Sequence, residues 1–419
     1  MKRLITLLLF CTLFVNSAFA SGFQLNEHGA RAMAMAGAFA GLANDPSAIY
    51  FNPAGITQLS GWQFYAGATM IMPISSYTTP KPTSSETEMV SQIFTPVNFY
   101  VTKQLNDKLY VGLSINNQYG LGTKWDSNWL GKYLAVETSV KTFFFTPVVA
   151  YKLGNLSVSA GPTIAIASIK LSSRVHNPVP PQPDPLVSLV GDNVTGYGFT
   201  VGILYKVSDK FQVGASYRSQ TKFDLTGTAS SDPATFYHPL LKTNLNFPNG
   251  SISSSLTTPQ NATIGFAYMP DMNWTVTCDF QYVGWSSYDN LAVTFNNYNL
   301  ANPLSTSASS ETIPRNYNDS FIARLGFEYK ATDAFAVRFG ALYDKNPVPD
   351  MYVEPTLPDA DRVGLNIGFG GKLTEHIGID FSYMFLYFPD RIVSNSYFGL
   401  NGTYSNQAHL IGVDLSYSL

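Results

Sequence analysis

Charge is what this 419-residue chain has least of. Asp, Glu, Lys and Arg make up 13% of it, about half their share in an ordinary soluble protein, so a large water-exposed surface has little to cover it. Cysteine is as sparse. Two residues, Cys11 and Cys278, give no disulfide framework and no zinc-type spacing. The five histidines are scattered, so no metal site is expected. Neither G-x-S-x-G nor H-E-x-x-H occurs, which leaves a barrel lipase or protease without its machinery. After the first twenty residues there is no apolar run of about eighteen, the length a spanning helix needs. The formal net charge of −3 offers nucleic acid no electrostatic hold.

What is present begins with an export signal. "MKRLITLLLFCTLFVNSAFA" runs from Lys2 and Arg3 through an apolar core to Ala18-Phe19-Ala20, the pattern of a secretory signal cleaved after residue 20. Cys11 leaves with it, and "LLLFC" lacks the small residue of a lipoprotein cleavage site. The remainder is rich in aromatic residues, the chain carrying 25 Tyr and 29 Phe. An exported, aromatic-rich, charge-poor chain without spanning helices points to a transmembrane β-barrel.

Periodicity gives the barrel its strands. In "FQVGASYRSQTKFDL", Phe211, Val213, Ala215 and Tyr217 alternate with Gln212, Gly214, Ser216 and Arg218, one apolar and one polar face at period two. "DSFIARLGFEYK" puts Leu325 and Phe327 outward and Arg324 and Glu328 inward. Cys278 falls on the lipid face of its strand, a small hydrophobe there rather than a nucleophile. Short polar turns at 106–108, 153–155, 208–210, 270–273, 331–334 and 374–376 interleave with long loops near 75–93, 120–138, 173–193, 229–250, 286–318, 344–360 and 390–405. That alternation predicts an all-β membrane protein, a 14-stranded antiparallel barrel over 61–419 with short periplasmic turns. Trp62, Tyr100, Tyr110, Tyr151, Tyr205, Tyr268, Trp274 and Tyr329 lie at strand ends beside short turns, where an interfacial girdle is expected.

Residues 21–60 lack alternation. "GARAMAMAGAFAGLA" is small residues with Met and Phe, suited to short helices in a confined space. "IYFNPAGITQL", residues 49–59, follows; Pro53 fixes its φ, has no N–H, and biases Asn52 away from helix. A barrel this wide needs something to fill it. The segment is therefore a candidate N-terminal hatch, or plug, with Asn52-Pro53-Ala54 as its rigid exit.

The stretch "SGFQLNEHGARAMAMAGAFAGLANDPSAIYFNPAGI", together with "NNQYGLGT" and "NPVPDMYVEPTLPDADR", resembles the FadL family of bacterial outer-membrane long-chain fatty acid transporters. Ala34 and Ala36 stand where related hatches often carry Gly, and Leu419 replaces the usual final aromatic. The resemblance implies a hatch-plugged barrel in the bacterial outer membrane that takes up hydrophobic compounds, with lateral exit through a kinked third strand. Long-chain fatty acids are the first substrate class, monoaromatic hydrocarbons the alternative, and a general porin a more distant one. It further implies no cofactor, contact with outer-membrane lipid and lipopolysaccharide, insertion by the barrel assembly machinery, and a monomer. Phe23 matches the family residue whose ring reaches into the ligand pocket. In the third strand, Asn116, Asn117 and Gly120 are poor strand residues and mark the expected kink.

A fatty acid carboxylate needs a cation in an otherwise apolar pocket. The inward cations by alternation are Arg218, Lys222, Arg324, Arg338 and Arg362, with Lys170 and Arg174 where the fifth strand meets its loop. Of these, Lys170, Arg174, Arg218 and Arg324 are the carboxylate candidates.

Overall fold

The computed structural model describes residues 22–419. The signal assigned to residues 1–20 lies outside them. Fourteen strands form the wall: β1 (Trp62–Thr78), β2 (Val97–Gln104), β3 (Leu109–Asn116 with Gly120–Lys124), β4 (Glu137–Leu153), β5 (Leu156–Arg174), β6 (Leu186–Ser208) and β7 (Phe211–Arg218 with Thr221–Asp232). The second half comprises β8 (Gly250–Thr258 with Asn261–Tyr268), β9 (Trp274–Val283 with Asn290–Phe295), β10 (Ser309–Pro314 with Ser320–Lys330), β11 (Phe335–Asp344), β12 (Arg362–Lys372), β13 (Ile377–Val393) and β14 (Gly402–Ser418). Each pairs antiparallel with its sequence neighbours, and β14 pairs with β1 from Gln63↔Ser418 to Thr78↔Thr403. That last ladder closes the barrel, so the first and last strands leave no free edge.

The wall is inside-out relative to a soluble protein. On β12, Leu365, Ile367 and Phe369 are 60%, 54% and 48% exposed, while Asn366 between them is 6% exposed. Asp279, Arg324, Glu328, Arg338 and Asp414 are buried on the opposite face. Such a surface is stable only if lipid, not water, covers it. Two of the short turns share one device. Asn106 accepts the N–H groups of Lys108 and Leu109 at 2.9 Å, and Asp271 accepts those of Asn273 and Trp274 at 2.9 Å. The side chain thus reverses the strand in few residues.

Three alternation-based expectations need correction. Lys222 faces outward, paired with Asp224 at 2.7 Å, because the interruption at Ser219 and Gln220 inverts the alternation between the two parts of β7. Tyr100 and Tyr110 are 0% and 4% exposed. They face the lumen, where Ile49 and Tyr65 offer an apolar surface, rather than a lipid girdle. Trp62, Tyr151, Tyr205, Tyr268 and Trp274 do point outward.

Residues 22–60 sit within the closed wall as short helical pieces: α1 (Ala30–Ala34), α2 (Ala48–Phe51) and a 3-10 turn, Pro53–Gln58. Their small side chains let the segment touch strands all round the lumen. A Cβ at Gly340 would lie 2.5 Å from the Ala36 nitrogen, one at Gly214 2.0 Å from the Ala40 carbonyl oxygen, and one at Gly368 2.5 Å from the Ala34 Cβ. Inward glycines on β7, β11 and β12 thus give the segment its room.

Wall carboxylates fasten it. Asp279 accepts the N–H groups of Phe39 and Ala40 at 2.8 and 2.7 Å, Asp414 accepts that of Ala30 at 2.5 Å, and Asn366 donates to the Met33 carbonyl at 2.6 Å. Arg31 joins Glu328 at 2.9 Å and Asp45 at 3.2 Å, and Arg338 bridges Glu328 and Asp380, each at 2.7 Å. The lumen charges therefore serve chiefly one another and the orphan N–H groups of short helices.

Candidate functional site

Two cavities meet at Phe23. The inner one, with an empty volume of about 810 Å³, lies among β3 to β10 and is lined by aliphatic side chains such as Leu121, Ile169, Leu225, Ile252 and Val293. The side cavity, about 1680 Å³, extends from Phe23, Asp359 and Arg362 to Val97, Lys141 and Phe143. Val97 and Phe143 are 44% and 43% exposed on the outside of the wall. Phe23, Leu121, Val140 and Leu357 line both, so the two adjoin and together outline a candidate path.

The path reaches the outside because β3 is interrupted. Asn116 pairs with Phe144 and Gly120 with Lys141, which leaves one residue more on β3 than on β4, a bulge. Above it, Gly120–Lys124 pairs with β4 alone. The opening beside it is bounded by two contacts. At one end Asn117 accepts the Val97 N–H at 2.8 Å and donates to the Thr142 carbonyl at 2.6 Å. At the other the Val90 N–H donates to the Lys124 carbonyl at 2.8 Å. Asn117 thus satisfies backbone groups that the missing ladder would have paired. Phe94 lies in the opening, so close that a Cβ on Gly122 would be 2.0 Å from its ring.

The N-terminal segment meets β3 at the same place. Leu25 N–H donates to the Gln118 carbonyl at 2.9 Å and Gly120 N–H to that of Phe23 at 3.0 Å. Phe23 itself packs edge-on against Trp285 at 4.8 Å and Tyr119 at 6.0 Å between ring centroids. Beside it, burial holds the Glu27 and Asp359 carboxyls above the usual range, although Arg362 opposes this in both. Burial, reinforced by Arg218, pushes His28 down to about 3, so its ring is neutral at physiological pH.

Of the other candidates, Asn117 and Gly120 line the side cavity, while Asn116 is buried and donates to the Tyr100 hydroxyl at 3.4 Å. None of the four carboxylate candidates lines either cavity. Lys170 pairs with Glu137 at 2.7 Å, both lying on the faces opposite the cavity residues Ile169 and Thr138. Arg174 donates to the carbonyls of Ser127 and Asp184. Arg218 stacks over Tyr50 at 4.1 Å and donates to its carbonyl; Arg324 donates to Gln281 and Asn26. The cations that do line the path on the lumen side are Arg362, paired with Asp359 at 3.1 Å, and Arg315. Sequence reasoning missed Arg315 and Phe94. Arg315 had a signal: it is the single cation in the loop region 286–318.

Asn52 caps the 3-10 turn, its Oδ1 accepting the Ala54 N–H at 3.2 Å and Pro53 taking the first helical position. Its Nδ2 donates at 2.9 Å both to the Ala40 carbonyl and to the Ile203 carbonyl on β6. The motif joins segment and wall through one side chain.

The family profile described as "Outer membrane protein transport protein (OMPP1/FadL/TodX)" matches residues 11–419. The chain belongs to this family. It is an outer-membrane transport protein, not an enzyme, and the aliphatic lining of the inner cavity suits a hydrophobic cargo. Among its relatives, the "Long-chain fatty acid transport protein" of Salmonella typhi is 25% identical, covering 88% of each chain. The "47 kDa outer membrane protein" of Pasteurella multocida (strain Pm70) is 26% identical, covering 96% of this chain and 95% of its own. Among solved structures, a FadL homologue of Pseudomonas aeruginosa superposes with a TM-score of 0.79 at 20% identity, covering 95% of this chain and all of its own. The toluene transporter TodX of P. putida does so at 0.73 and 17%, covering 94% and 99%. At these identities the superpositions speak for the shared fold.

Proposed function

We propose that hydrophobic molecules enter the inner cavity from the long-loop side, pass Phe23 into the side cavity, and leave through the opening beside β3 directly into the membrane. The observation that carries this is the continuity of the path from Phe23 to the outer wall residues Val97 and Phe143. The physical reason is partition: each CH₂ kept out of water contributes about 0.8 kcal/mol, so a route into lipid avoids a costly aqueous exit. Residues 21–60 act as the hatch, and residues 1–20 as the cleaved signal. The barrel works as a monomer, inserted by the barrel assembly machinery among lipid and lipopolysaccharide.

Acyl-chain substrates are the first reading, supported by the name of the Salmonella typhi relative. Uncharged hydrocarbons are the second, favoured by the paired state of Arg315 and Arg362. Growth on oleate and on toluene, with the gene deleted and restored, tests both. Restored growth on one substrate assigns the class, and unchanged growth on both after deletion sinks the uptake reading. Ion conductance by the intact protein in planar bilayers would instead support a general porin.

A further inference from the structure

The inner cavity has one charged lining residue, Arg315, and its charge is already answered. Arg315 Nη1 donates to Glu354 Oε1, and both side chains are 7% exposed. Thr356 Oγ1 donates to the same carboxylate oxygen. Glu354 is also held in place by its neighbours: Trp125 donates to the Pro355 carbonyl at 3.0 Å and Thr123 to that of Thr356 at 3.2 Å. The pair is therefore built into the wall of the cavity. Yet the guanidinium keeps a donor in reserve, since Arg315 Nε is buried without a hydrogen-bond partner among the described residues.

These two facts act differently on two kinds of ligand. A carboxylate placed on Arg315 would share that cation with Glu354, and two like charges in a low-dielectric site oppose each other strongly. An uncharged acceptor oxygen meets no such opposition and relieves a buried donor that is costly to leave unmade. We propose that the inner cavity is a binding site for uncharged hydrophobes carrying an acceptor oxygen, such as a fatty acyl ester or a protonated fatty acid, and that Glu354 is the residue that turns carboxylates away. This rests on the uptake reading and specifies the chemical form in which its cargo binds.

The test uses purified protein in a fixed concentration of nonionic detergent, so that micelle partition is common to all variants. Calorimetric titrations compare dodecane, methyl dodecanoate and dodecanoate, the last well above its pKa. The wild type should favour the ester over the carboxylate. Glu354→Gln keeps an acceptor for Arg315 but removes the opposing charge. It should strengthen dodecanoate binding by about tenfold, the scale of a charge-assisted hydrogen bond, and leave the ester unchanged. Removing the pair altogether, as R315M/E354M, should be tolerated, since apolar replacements of a buried ion pair often are. It should abolish both the gain for dodecanoate and the preference for the ester over dodecane. Heat-dependent gel mobility certifies that each variant is folded. Dodecanoate binding that is as tight as the ester in the wild type, or unmoved by Glu354→Gln, overturns the assignment while leaving uptake intact. Failure of all three ligands to bind any of the proteins removes the uptake reading and this inference with it.

Discussion

Asn52 places three hydrogen bonds where the N-terminal segment meets the wall, to Ala54, Ala40 and Ile203, and it is fully buried. An amide suits this position because it both accepts and donates. Asn52→Ala leaves buried partners unsatisfied, at about 1–3 kcal/mol each, while no wall strand loses a ladder bond. Asn52→Asp should be worse, since its carboxylate would face two carbonyl oxygens that require a donor. Hydrogen exchange of residues 30–58 is expected to accelerate in the order wild type, Ala, Asp, with the strands unchanged. Equal protection in all three would mean that the motif merely connects. That Asn-Pro-Ala bends the chain was legible from Pro53. That Asn52 could bond its own backbone or a lumen-facing strand was legible too; that the strand is β6 was not, because the partner is a backbone carbonyl 151 residues away, and a carbonyl leaves no side-chain signature.

At the scale of elements, β3 shows how far the pattern could be read. Its weakness was legible in Asn116, Asn117 and Gly120, and five of the six short turns were legible in their Asn, Asp and Gly residues, the exception being Thr374-Glu375-His376. What replaces the lost pairing was not legible: Asn117 bridging β2 and β4, and Phe23 and Leu25 bonding to the far side of β3. Nor was the phase of residues beyond an interruption, as Lys222 demonstrates. Period-two reasoning carries across a strand only while the strand is unbroken. The element-level prediction follows from the geometry. A Cβ at Gly120 would lie 3.0 Å from Leu25 Cδ1, so Gly120→Val should push the Leu25 side chain aside and narrow the cavity that Gly120 and Leu25 both line, and Asn117→Val removes the bridge. Phe94→Ala should widen the opening without touching either. Uptake of a fluorescent hydrophobe by cells with equal surface expression should fall for the first two and be unchanged or faster for the third. Wild-type rates in both valine variants would exclude this opening as the exit.

For the whole molecule, the question is whether the barrel needs its contents. The ring of strands closes without them: β14 pairs with β1 along its length, residues 30–51 add no strand to the wall, and the outward apolar faces are set by the strands alone. The lumen, by contrast, is lined by charges that the segment neutralises or satisfies, among them Asp279, Glu328 and Asp414. Taking the segment away would leave those groups to water, which solvates ions readily, so the interior should wet rather than collapse. Replacing residues 30–51 with a short Gly-Ser linker should therefore give a barrel that still shows heat-modifiable mobility in detergent. In planar bilayers it should conduct ions continuously, whereas the intact protein should not. Loss of heat-modifiable mobility would show that the contents are needed for folding. A folded but non-conducting variant would show that the long loops, not the N-terminal segment, seal the lumen.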